Sequence, residues 1–279
     1  MRTGALITVA RKNRAAKGSA ARLSLITICV LAALAAAGCS GEKKTETAAS
    51  KPEEKAAPAV TKIDPATAAT VTGKVKLDGK RPAKKSINMS EEAECRRLHK
   101  GAVYEESVVA GADGGLAYAF VYVKSGLEGK TFEAAKEPVK IDQRGCTFQP
   151  RVLGIRVGQT LSVSNSDPVS HNIHPMPKDN REWNQQQPPQ APGLEREFAR
   201  PEVMIPVKCN VHAWMRSYIG VVDHPYFAVT GEQGVFELKG LPPGEYTIEA
   251  WQEKYGTLEQ KVTLAASASQ AIEFKFKGE

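Results

Sequence analysis

The sequence predicts an all-β protein, a Greek-key sandwich in style, from residue 69 onward. Two observations carry that expectation. Short runs rich in β-branched and aromatic residues recur along the chain, separated by Gly and Pro punctuation. Several of these runs alternate apolar with polar side chains, the period of a strand that buries one face. Only Glu91 to Lys100 reads as helix, with Ser90 placed to serve as its N-cap.

The elements follow in order. Val71-Thr-Gly-Lys-Val-Lys-Leu77 alternates, and Asp78-Gly79 marks the turn after it. Ala117 to Val123 is a strong β-branched and aromatic run ending at Ser125-Gly126. Val152 to Val157 leads into Gly158, and Thr160 to Ser164 sets Leu161 and Val163 on one face. Val203 to Lys208 and Tyr218 to Val222 flank a loop that opens with Cys209. Phe236 and Leu238, then Tyr246, Ile248 and Ala250, then Lys261 to Leu264 complete the series. Pro175 to Pro201 is a polar, Pro- and Gln-rich excursion, either a surface decoration or a docking element.

The first 38 residues read as a leader. Arg2, Arg11, Lys12, Arg14, Lys17 and Arg22 form a basic region without an acid, and Leu23 to Ala37 is then apolar except for Ser24 and Thr27. At 15 residues that core suits a signal peptide and is short for a membrane span. It ends in Ala36-Ala37-Gly38-Cys39-Ser40, which resembles a bacterial lipobox; the resemblance implies lipidation of Cys39 and a lipid-anchored place in the cell envelope, on the periplasmic or outer-surface side. The other reading is an ordinary secretory signal with an incidental Cys39. Residues 39–68, rich in Glu, Lys, Thr, Ala and Pro, bury too little to fold and are expected to be a disordered tether spanning about 30 Å.

Charge excludes one class of function. The chain has 38 basic and 31 acidic residues, and removing the six basic residues of the leader leaves 32 against 31, a net of +1. The basic balance belongs to the leader, no basic stripe with interleaved aromatics appears, and nucleic acid is not an expected partner.

Five cysteines sharpen the picture. Cys29 leaves with the leader and Cys39 would carry lipid, so Cys95, Cys146 and Cys209 remain. Three is odd, so at least one has a role other than an intrachain bridge. A bridge between Cys95 and Cys146 leaves Cys209 free; the rival is a bridge that uses Cys209. Cys95-x3-His99 could also be a metal-binding fragment.

Cys209-Asn-Val-His212-Ala-Trp-Met215 is a Cys-x2-His-x2-Met run, and His171 lies 38 residues before it in Asn165-Ser-Asp-Pro-Val-Ser-His171-Asn172. Two imidazoles, a thiolate and a thioether are the ligand set of a type 1 copper centre, trigonal His2Cys with a weak axial Met. His174, three residues beyond His171, points differently and reads as a neighbour of the site; Met176 and Met204 read as filler and His224 as a loop residue.

At these residues the chain resembles the cupredoxins, over roughly residues 139 to 222. Val157-Gly158-Gln-Thr160, Asn165 and His171-Asn172 resemble their strand-and-first-His segment, and the Cys209 loop has the spacing of amicyanin. The resemblance implies a Greek-key sandwich holding one type 1 copper through His171, His212, Cys209 and an axial Met215. It implies that Asn172 hydrogen-bonds across to the Cys loop. It implies too that His212 is the partly exposed edge through which electrons pass. Ala213 and Trp214 stand where amicyanin-type loops carry Pro, and Ile205-Pro206-Val207-Lys208 departs from the family's strand before the Cys.

Gly234-Val-Phe-Glu-Leu-Lys-Gly240-Leu-Pro-Pro-Gly244-Glu-Tyr-Thr-Ile-Glu-Ala-Trp251 resembles carboxypeptidase regulatory-like domains, small prealbumin-like sandwiches without chemistry of their own. Pro243 fits a turn corner and Gly244 a positive φ. Residues 223–279 are few for an independent core, so two arrangements stand. Either residues 69–137 belong with that sandwich and the copper domain, 138–222, interrupts it, or the copper domain is extended and carries an appendage. Trp251 and Tyr255 read as core and edge aromatics, the alternative being a carbohydrate surface.

The expected function is single-electron transfer, without enzymatic activity, toward a dehydrogenase or cytochrome partner. The alternatives are a copper-buffering or delivery lipoprotein and a binding module with a vestigial copper site. Five Met argue against the first, and five His are too few for a multicopper oxidase.

Overall fold

The computed structural model of the protein describes residues 59–278; the leader, Cys39 and most of the tether lie outside them. The described chain is almost wholly β and forms two face-to-face sandwiches.

The first sandwich joins strands from both ends of this region. In one sheet β1 (Ala69–Asp78) lies between β13 (Val235–Leu241), antiparallel, and β16 (Ser269–Lys277), parallel. The facing sheet runs β12 (Phe227–Val229), β2 (Phe120–Ser125), β14 (Gly244–Gln252), β15 (Gly256–Leu264). Period-two alternation supplies its core: Val71, Val75 and Leu77 of β1 meet Val121 and Val123 of β2, Ile248 and Ala250 of β14, and Phe274 and Phe276 of β16. Residues 139–222 form the second sandwich. Its five-stranded sheet runs β5 (Val152–Arg156), β11 (Arg216–Val222), β10 (Glu202–Lys208), β7 (His171–Pro175), β8 (Gln185–Gln187). Its four-stranded sheet runs β4 (Phe148–Gln149), β3 (Val139–Gln143), β6 (Leu161–Asn165), β9 (Leu194–Arg196). The β3–β6 and β5–β11 pairs are parallel, as crossovers between the layers require. Ile141, Leu161 and Val163 pack across the interior against Ile155, Ile173, Ile205 and Ile219.

The two sandwiches meet through the outer face of β2. Phe120 and Tyr122 point away from their own core and pack with Val152, Met204 and Val222. Gly154 and Gly220 are register partners on β5 and β11, and a Cβ on either would come within 3 Å of the Phe120 ring. The missing side chains form the socket in which that ring sits. Arg151 and Glu253, both largely buried, add a bidentate ion pair of 2.7 and 2.8 Å across the same junction.

Between β1 and β2 the chain leaves the first sandwich, crosses one end of the second and returns. Val108 and Ala110 pack on the first core, while Ile87, Met89, Cys95 and Val103 pack on the second. This crossing segment carries α1 (Ala93–Arg97), shorter than the helix expected over residues 91–100. Cys95 is its one buried residue, so no apolar stripe holds further turns against the core. Ser90 does not cap it: Glu92 holds the N-cap position without a side-chain bond, and the Ser90 N–H donates to Asn88 Oδ1.

Two further details emerge. The residue 175–201 excursion carries two strands: β8 extends one sheet beside β7, and β9 extends the other beside β6. Its polar composition suits edge strands, whose outer rim faces water. At the Leu-Pro-Pro turn the left-handed residue is Gly240, at φ 78°, and not Gly244, which already stands in β14.

Candidate metal centre

His171 opens β7, and Cys209 to Met215 form the loop between β10 and β11. The loop is closed by its own backbone: Met215 N–H donates to His212 O at 3.0 Å and Cys209 N–H to Met215 O at 3.4 Å. β10 pairs with β7 through Lys208 and His174, which brings Cys209 beside the start of β7. All four predicted ligands lie at one end of the second core, with His171 0%, Met215 1%, His212 2% and Cys209 3% exposed.

Three of them converge. Ligating atoms of His171, Cys209 and His212 lie within 4.8 Å of one another. His171 Nδ1 and His212 Nδ1 face each other at 2.9 Å, and Cys209 Sγ is 3.9 Å from His212 Nδ1. Met215 is buried in the same cluster of side chains as Cys209. Cys95 and Cys146 form a disulfide, and Cys209 is the free cysteine among the described residues. The other two clusters of potential ligands here, Cys95–Cys146–His212 and Cys146–Asp167–His171, depend on disulfide sulfurs, which leaves the Cys209 group as the one with an available thiolate.

The surroundings prepare these donors. Asp167, four residues before His171, accepts from His171 Nε2–H at 2.9 Å, so Nδ1 keeps its lone pair for the site. Asp167 is itself fixed by the backbone N–H groups of Gly145 at 2.6 Å and Cys146 at 2.7 Å. Burial opposes its charge, yet the bonds from His171 and those two N–H groups hold its carboxyl below the usual range. Burial likewise lowers the His171 pKa, but Asp167 and Cys209 outweigh it and the net shift is upward. Burial raises the Cys209 thiol; the His171 and His212 imidazoles beside it more than reverse that and bring it down to about 5. The His212 N–H also points at the sulfur, at 3.4 Å. A buried thiolate facing two imidazole nitrogens is a donor set for a soft or borderline cation, and it fits copper.

Asn172 links the two ligand segments: its Oδ1 accepts from Asn210 N–H at 2.7 Å and lies 3.3 Å from Cys209 Sγ. His174 turns away from the cluster, toward Glu182 at 2.5 Å and Asn210 at 3.3 Å. His99 bonds Gly145 O at 2.8 Å and joins no metal cluster with Cys95.

One expectation is reversed. His212 is not a partly exposed edge. Its outward nitrogen, Nε2, meets Cys95 Sγ at 3.5 Å and Glu92 Oε2 at 3.8 Å, and the Trp214 ring lies against it with centroids 5.2 Å apart. The crossing segment, pinned by the disulfide, covers the position where an open histidine was expected. Asp167, Glu92 and the disulfide cover are the parts of the site that sequence reading missed. Only Asp167 left a local signal, a carboxylate four residues from a candidate ligand.

No protein-family model and no curated protein matches the chain. Solved structures do. A copper-containing nitrite reductase from Thermus scotoductus SA-01 is 20% identical over 34% of this chain, at a TM-score of 0.30; the match spans only 24% of the reductase. A purple cupredoxin from Nitrosopumilus maritimus is 21% identical over 30% of this chain and 98% of its own, at a TM-score of 0.26. A reduced amicyanin mutant is 21% identical over 32% of this chain and 86% of its own, at a TM-score of 0.27. At these TM-scores the likenesses carry no argument about the chain's role. The chain is an all-β protein, and its residues 139–222 form a sandwich of a five-stranded and a four-stranded sheet.

Proposed function

We propose that this protein holds one copper ion in a type 1 site and carries single electrons between redox partners, without catalysing a reaction of its own. The observation that carries the reading is the convergence of His171 Nδ1, His212 Nδ1 and Cys209 Sγ in a buried pocket. His171 and His212 would hold the ion through imidazole nitrogens, Cys209 through its thiolate and Met215 through its thioether. Bound copper supplies a one-electron couple, and the residues keep its surroundings nearly constant. β7 and the backbone-closed loop fix the donors, Asp167 and Asn172 orient them, and burial excludes water.

In the same reading Cys39 is lipidated and residues 39–68 tether the protein in the bacterial envelope. Its partner there is a dehydrogenase or cytochrome. The first sandwich serves as a support module of the carboxypeptidase regulatory-like type.

The test is spectroscopic. The full chain, purified in detergent and given Cu(II), turns intensely blue through thiolate-to-copper charge transfer, bleaches on reduction and recovers on oxidation. Cys209→Ala abolishes the colour and His174→Ala leaves it. A colourless protein that retains only Cu(I) would assign it to buffering or delivery, and no copper uptake would leave a binding module with a vestigial site.

A further inference from the structure

The covered His212 raises a question that the ligand set leaves open: where an electron crosses the protein surface. Nε2 of His212 faces Cys95 Sγ and Glu92 rather than solvent, and the ring is 2% exposed. His171 lies deeper still, at 0% exposure with its Nε2 on Asp167. Neither imidazole offers a partner an edge.

Trp214 does. Its indole lies against the His212 ring, 5.2 Å between centroids at 44°. It is only partly buried, and its N–H donates to Cys146 O at 3.0 Å, which fixes the ring to the disulfide loop. With Ala213, Met215, Arg216, Tyr104 and Tyr218 it lines a cavity of about 730 Å³. The same indole therefore touches a ligand on its inner side and open space on its outer side.

We propose, resting on the copper reading above, that Trp214 is the electron port of this site, replacing the His212 edge that the crossing segment closes. One electron passes from a reduced partner in the cavity to the site, or from the site to an oxidised one. The indole neither gains nor loses an electron or a proton on balance. It provides a fixed, close-packed path where solvent would otherwise intervene.

Two measurements test this. The first needs no metal: hydroxyl-radical footprinting of the metal-free full chain, mapped by mass spectrometry, labels Trp214 readily and leaves His212 protected. Equal labelling of the two residues would overturn the closed edge. The second follows electron exchange between the copper-loaded protein and ferricyanide by stopped flow. Trp214→Leu slows the exchange severalfold with the blue band and reduction potential unchanged, and Trp214→Phe, which keeps a ring, recovers most of the rate. An indole that merely shields His212 predicts the opposite sign, because its removal lets the oxidant closer. An unchanged or faster Trp214→Leu with an intact band therefore removes the port and leaves the copper reading standing. A wild-type protein without the band removes the copper reading, and the port with it.

Discussion

Asp167 Oδ2 accepts a hydrogen bond from His171 Nε2 at 2.9 Å, and the same carboxylate takes the backbone N–H groups of Gly145 and Cys146. One buried side chain thus ties a ligand of the proposed centre to the disulfide loop. It fixes which imidazole nitrogen faces the pocket, and it supplies negative charge behind that nitrogen. Asp167→Ala is expected to weaken copper binding by roughly 10–100-fold, the usual cost of losing a ligand's outer partner. Competition with a chelator of known affinity measures it. Asp167→Asn keeps an acceptor oxygen for the backbone but loses the charge, and falls between the two. Wild-type affinity in Asp167→Ala would show that packing alone orients His171.

The Cys209 thiol is brought down to about 5: burial raises it, and the neighbouring His171 and His212 imidazoles lower it by more. The folded value lies below the ordinary 9.0, so the thiolate is present above the folded pKa and is lost as pH falls through about 5. Ultraviolet thiolate absorbance of the metal-free protein is expected to persist at neutral pH and disappear near that value. His212→Ala and His171→Ala each move the midpoint upward. A midpoint at the ordinary thiol value would mean that the imidazoles do not face the sulfur in the metal-free state.

Much of this site was legible because its parts are local. Cys209, His212 and Met215 share one short loop, and a short loop between strands must place its residues at one sandwich end. His171 follows a readable strand, β6. What was not legible is long-range. The side chains of Cys95 and His212 meet across 117 residues, and no pattern near His212 announces that α1 will cover it. The same holds for β2: the run from Phe120 to Val123 is buried on both faces only because a second sandwich packs on its outer side. The polar stretch from Gln185 to Gln187 pairs with β7 through backbone groups, which every sequence possesses.

The junction between sandwiches gives a packing prediction. A Cβ at Gly220 would meet Phe120 ring carbons at 2.6 to 2.9 Å, and that ring is fully buried with no room to swing aside. Gly220→Ala is expected to cost about 1–3 kcal/mol, the range for overpacking a closed site. Gly231→Ala is the control: nothing lies within 4 Å of its Cβ position, so the change stays within about 0.5 kcal/mol. Urea midpoints of the three proteins compare them. Equal midpoints for Gly220→Ala and Gly231→Ala would mean that the ring does not rest in this socket.

His224 carries the last prediction, beside β2 of the first sandwich. It is 5% exposed, and its neutral form is satisfied at both nitrogens: Nε2–H donates to Val123 O at 2.8 Å and Nδ1 accepts from Tyr226 N–H at 3.1 Å. Burial lowers its pKa below the ordinary 6.5, and the attraction of Asp223 only partly offsets that. Because the folded value is depressed, the unfolded chain takes up the proton first. The stabilisation is therefore complete above 6.5 and is lost as pH falls through the lower folded value. Protonation would also turn Nδ1 from acceptor to donor against the Tyr226 N–H, so the folded state has no bonded way to accept the charge. His224→Gln cannot titrate. The excess stability of wild type over this variant, measured by denaturant unfolding, is expected to shrink steadily as pH is lowered from about 7.5 to 5. Carboxylates that titrate in the same range are common to both proteins and cancel in the difference. A difference that stays constant across that interval would show that His224 takes up its proton at the same pH in the folded as in the unfolded chain, and that burial does not depress it.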